Sequence, residues 1–167
     1  MSCFEWNATA NERRGLAIAA FAGLALTSAT ALAAGPFAPF AGSFRGGGAV
    51  IGADGHRERI SCRARNGVGE AGHAMSQDIV CASDSYRLDI HSNVIAQGDE
   101  ARGQWSESTR GVSGTIYGRV GDGRFSGGVN GGGFTAAVSL RATGHGLSMS
   151  LAPSGGDVSR VEVHLSR

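Results

Sequence analysis

The chain has 167 residues, the length of one ordinary domain, and its 15 basic residues against 14 acidic ones leave a net charge of +1. That balance excludes the electrostatic footprint of a nucleic-acid or anionic-membrane binder. All basic residues are arginine, and 28 glycines with only 3 prolines and 7% aromatics fit a soluble bacterial domain of many short strands.

Residues 1–33 read as a secretory signal peptide. Arg13-Arg14 precedes a small apolar run from Gly15, which ends in the small-x-small site Ala31-Leu32-Ala33. An uncleaved membrane anchor is the alternative, because the run approaches spanning length. The arginine pair also leaves open twin-arginine export. Cleavage removes Cys3, so the mature chain keeps only Cys62 and Cys81. Two cysteines in an oxidising compartment predict a disulfide, and the protein is expected to be periplasmic or secreted. Residues 34–41 form a proline-punctuated lead-in. Its Phe37 and Phe40 are expected either to cover the end of a core or to sit in a simple tether.

A single domain over residues 42–167 follows. The first strand, Gly42–Ile51, has an ambiguous register in which either Phe44 and Val50 or Ala49 and Ile51 face inward. Next, Ile60, Cys62 and Ala64 alternate with arginines 59, 63 and 65, and Ile79 and Cys81 form a second alternating run. Pairing these runs with Cys62 opposite Cys81 sets Ala64 against Ile79. The same register sets Arg65 against Asp78 and Arg59 against Asp84 as salt-bridged pairs on the outer face.

A long strand from Tyr86 to Ala96 then turns at Gly98-Asp99 and returns with Ala101, Gly103, Trp105 and Glu107 inward, Trp105 opposite Ser92. Asp122-Gly123 is a two-residue hairpin signal that opposes Val120 to Phe125, Gly118 to Gly127 and Ile116 to Val129. The Asn130-Gly-Gly-Gly turn is expected to set Val129 against Phe134, with Ala136, Val138 and Leu140 continuing the face. The last strand puts Val161, Val163 and Leu165 inward and Arg160, Glu162 and His164 outward.

The fold class is therefore all-β: an antiparallel up-and-down meander of about ten short strands, closing into a small barrel that buries its one apolar face and removes its edges. Short turns disfavour a sandwich, which needs longer crossovers. Inward glycines at 103, 114, 118 and 127 would relieve crowding where the sheet bends.

The segments Phe40–Ile51, Glu58–Arg65, Val80–Ile90 and Gly103–Arg110 resemble a group of uncharacterised secreted proteins of rhizobia and related alphaproteobacteria. That resemblance brings no activity with it. Gly42-Ser43-Phe44 is also similar to the Gly-x-Trp opening of calycins, the lipocalin-type barrels, with phenylalanine where tryptophan is usual. It implies a shape, and shape does not imply function.

Chemistry is sparse. The five histidines are dispersed over turns and outward positions without metal spacing, no Gly-x-Ser-x-Gly elbow appears, and the glycine runs lack a phosphate-loop tail. No cofactor, metal or catalytic residue is expected, and the protein is read as non-enzymatic. Trp105 and Glu107 on the inward face, with Tyr86 on the preceding strand, are the candidate ligand-binding residues. An inward carboxylate needs water, a partner or a ligand. The three settings open for Glu107 are a hydrated barrel mouth, an inward arginine such as Arg167, and a ligand cavity beside Trp105. The expected role is an exported monomeric barrel that binds a small apolar ligand or envelope component. The alternative is a protein-interaction or inhibitor module that acts through its loops and arginine-bearing outer face.

Overall fold

The computed structural model describes residues 34–167; residues 1–33, on which the expectation of a signal peptide falls, lie outside them. Strands β1 (Gly42–Gly52), β2 (Arg57–Gly69), β3 (Ala74–Ala82), β4 (Arg87–Gln97) and β5 (Glu100–Glu107) form the first half of the fold. β6 (Val112–Gly121), β7 (Arg124–Gly131), β8 (Phe134–Ala142), β9 (Gly146–Pro153) and β10 (Val158–Ser166) form the second. Each strand pairs antiparallel with the next, and β10 returns to β1, so the meander closes into a barrel.

Alternation and turn chemistry account for most of the register. Cys62 lies opposite Cys81 and Ala64 opposite Ile79, and the two sulfurs are bonded at 2.05 Å. At the Asp122-Gly123 turn both residues have positive φ, 49° and 68°, the backbone of a two-residue hairpin turn. Val120, Gly118 and Ile116 accordingly oppose Phe125, Gly127 and Val129. Gly103, Gly114, Gly118 and Gly127 stand where a side chain would collide with a neighbouring backbone carbonyl. At the closing seam, Gly46 and Gly48 of β1 pair with Leu165 and Val163 of β10 in the same close-packed way.

Several local expectations are corrected. Phe134 pairs with Gly131 and Val129 with Ala136, because the chain reverses over only Gly132-Gly133, both at positive φ. The expected Arg59–Asp84 pair does not form: the β2–β3 ladder stops at Ser61 and Ala82, which leaves Asp84 in the turn beyond. Arg65 does lie opposite Asp78, but the Asp78 carboxylate is held by His91 of β4, at 2.7 Å. Tyr86 precedes β4, in a turn where Ser83 and Tyr86 bond each other's backbone. In β1, Phe44 and Val50 join the core, while Ala49 is buried on the other face between Arg59 and Glu162.

The lead-in is not a simple tether. Its Gly35 and Phe37 amides donate to the carbonyls of Ala71 and Gly72 at 2.8 and 2.9 Å. This strap carries a helical turn, Ala38–Phe40, across one end of the barrel. Phe37 and Phe40 are completely buried and belong to one core cluster with Phe44, Leu147 and Val163. Gly72, at φ +96°, meets Gly35 so closely that a Cβ on either would strike the other's backbone. The barrel is thus stoppered at the end where β2 and β3 are joined.

Candidate functional site

A cavity of about 420 Å³ fills the other half of the barrel, from a floor at Phe37 to a mouth edged by Tyr86, Arg110, Val112, Phe134 and Val158. Its volume lies within the range of small-molecule sites, roughly 300–1,000 Å³. Alternation explains the lining: every second residue of each strand points inward, and on the upper half of the strands those residues are Leu88, Ile90, Val138, Leu151 and Val161. Each of these is only half-buried, whereas their counterparts around the plug are sealed. The difference marks an unfilled interior.

All three candidate residues line this cavity, but they play different parts. Tyr86 sits at the mouth, held by its turn. Trp105 opposes Gly114 on β6, where the missing side chain leaves room for the indole to reach across to β7. There its Nε1 donates to the Asn130 carbonyl at 3.2 Å, and its ring meets Phe134 edge-on, with centroids 6.2 Å apart. Trp105 and Phe134 together form one aromatic wall of the upper cavity.

Glu107 is 4% exposed and serves the turn that follows it. Its Oε1 accepts the amides of Asp89 and Thr109 at 3.1 and 3.0 Å and the Thr109 hydroxyl at 2.5 Å. Its Oε2 accepts the Arg110 amide at 2.9 Å and the Arg110 guanidinium at 3.4 Å. Burial pushes the carboxyl upward, but the Thr109 hydroxyl and the amides of Asp89, Thr109 and Arg110 outweigh it, so the pKa falls to about 2. Glu107 is therefore an ionised brace for the β5–β6 turn. Its arginine partner is Arg110, not Arg167, whose guanidinium lies over the Phe44 ring at 5.0 Å.

Two polar residues lie deeper in the wall: Ser92, which the sequence places inward opposite Trp105, as it is found, and Gln77, which went unmarked. Gln77 of β3 and Ser92 of β4 are register partners, 7% and 5% exposed, and both line the cavity. Gln77 donates through Nε2 to Asn66 Oδ1 at 3.0 Å, and Asn66 Nδ2 donates to the Phe40 carbonyl at 2.9 Å. The signal was available: continuing the alternation past Ala64 and Ile79 by one inward place puts Asn66 opposite Gln77. This relay ties the plug to the cavity wall.

Among the described residues no group of His, Cys, Asp and Glu side chains is arranged to hold a metal ion. The wall holds two charged side chains, Glu107 and Arg110, and they are paired with each other. The arrangement can enclose an apolar body and offer it a few hydrogen bonds. Comparison with protein-family models and with curated proteins finds no match to this chain.

Proposed function

We propose that this protein is an exported, non-enzymatic binding barrel that holds a small apolar molecule in its cavity. The observation that carries the reading is the unfilled apolar interior above the Phe37 floor, open at one end and stoppered at the other. A packed barrel of this size would need no such space, since interiors close to near-crystalline density. The Cys62–Cys81 bond suits an oxidising compartment, which supports a periplasmic or secreted address. Native mass spectrometry of the protein from its own host tests the proposal: a retained small-molecule mass, released on denaturation, is expected. A protein without such a mass that also fails to bind the neutral dye N-phenylnaphthylamine would remove it.

A second reading, an interaction module acting through the outer wall, has one observation in its favour. Arg45 and Arg63 face each other directly across β1 and β2, both exposed. Like charges in that position repel and are relieved by an anionic partner. Retention on a heparin column that Arg63→Glu does not alter would count against it.

A further inference from the structure

We propose that the ligand is uncharged and carries a hydrogen-bond donor on its buried end, an alcohol in chemical class, with its hydroxyl seated between Gln77 and Ser92. This rests on the cavity being a ligand site and adds the chemistry of what fills it.

The polarity of the Gln77 side chain is set from outside the cavity. The relay begins at the Phe40 carbonyl, which can only accept, so Asn66 must present its Nδ2 there and its Oδ1 to Gln77. Gln77 answers with Nε2, and its Oε1 is left over. A flip of either amide would set oxygen against oxygen or nitrogen against nitrogen. Ser92, the neighbour of Gln77 across the β3–β4 ladder, has a hydroxyl without a hydrogen-bond partner among the described residues. No polar side-chain atom of the described residues that is sealed from solvent lacks a partner. The Gln77 oxygen and the Ser92 hydroxyl therefore open onto the cavity. One acceptor of defined direction and one adaptable hydroxyl lie side by side, more than nine-tenths buried, in an otherwise apolar wall.

A ligand hydroxyl meets both groups: it donates to Gln77 Oε1 and accepts from Ser92 Oγ. It gives both atoms a partner, so neither is left unmet when the cavity is filled. An ionised group at the same depth would be desolvated with no opposite charge beside it, because Glu107 and Arg110 stand at the mouth and neutralise each other. An ether or hydrocarbon end would leave the Gln77 acceptor unmet.

The test is displacement of N-phenylnaphthylamine from the full chain by decanol, decyl methyl ether, decanoate and decylamine, which share one alkyl length. Decanol is expected to bind about tenfold more tightly than each of the others, the net worth of about one hydrogen bond. Ser92→Ala, which leaves the Asn66 relay and the Gln77 acceptor intact, is expected to weaken decanol and its methyl ether alike, by roughly two- to tenfold, and to keep the preference between them. Gln77→Leu, which removes the acceptor, should bring decanol and its methyl ether to within about twofold of each other, with its circular dichroism compared with wild type because it also breaks the relay. Equal affinity for decanol and the ether, or tighter binding of decanoate, overturns the proposal while leaving the cavity a ligand site. Binding of neither dye nor any decyl compound overturns both.

Discussion

The Glu107 carboxylate takes the Arg110 backbone amide at 2.9 Å and the Arg110 guanidinium only at 3.4 Å. The backbone contact dominates, since the guanidinium is half in solvent and exposed ion pairs contribute little. Glu107 thus acts as a cap for the β5–β6 turn at the cavity mouth, in the way that a side-chain oxygen caps the first turn of a helix.

Acid should loosen this cap. The folded pKa of Glu107 is depressed from its ordinary 4.5 to about 2, so its stabilisation is complete above pH 5 and is lost as pH falls through that window. The loss amounts to about 3 kcal/mol. Urea unfolding between pH 6 and pH 2 should show the fall in wild type. Glu107→Gln should be less stable by a similar amount at neutral pH and show a flatter profile; a slope unchanged in the variant would contradict the assignment.

The disulfide closes a loop between positions 19 residues apart. Replacing both cysteines by serine, or reducing the bond, is expected to lower stability by roughly 3 kcal/mol on the chain-entropy model. The denaturation midpoint with and without reductant measures it. The barrel should still form, because its other strand pairs do not depend on the bond.

The plug depends on Gly72. Alanine there meets both the strained φ of +96° and the Gly35 backbone. A destabilisation of about 1–2 kcal/mol is expected from the conformational term alone. Limited proteolysis should then cut the lead-in near Phe37, a site that is fully buried in the native protein. Equal resistance in Gly72→Ala and wild type would mean that the strap does not hold the plug.

Arg45 opposite Arg63 predicts a stabilising substitution. Arg63→Glu creates an opposite-charge pair across β1 and β2, expected to add about 0.2–1 kcal/mol at low salt. Screening should erase most of the gain at about 1 M salt. A gain that persists in high salt would point to a cause other than charge.

Most of the barrel was legible in the chain because strand pairing is local. A period of two and a two-residue turn fix which residues oppose each other, as with Cys62 and Cys81 or Val120 and Phe125. The error at Phe134 arose where three consecutive glycines left the turn free to shift by a residue pair. Trp105, Glu107 and Tyr86 all line the cavity, but Tyr86 does so from the turn before β4, and the role of Glu107 was not readable. Three of its partners are backbone amides, two in the turn that follows it and one on β4, and backbone carries no signature in a sequence.

What the sequence by itself determined is the closed meander and its apolar inner face, because alternation and tight turns act between neighbours in the chain. Tertiary structure alone decided which partner each side chain took and which end of the barrel was open. Asp78 lies opposite Arg65 on one side and His91 on the other, and three-dimensional geometry gave its carboxylate to the histidine. Phe37 and Phe40 fill one end because the strap to Ala71 and Gly72 anchors them there. The cavity is the space that this plug, reaching no higher than Phe37, leaves unfilled.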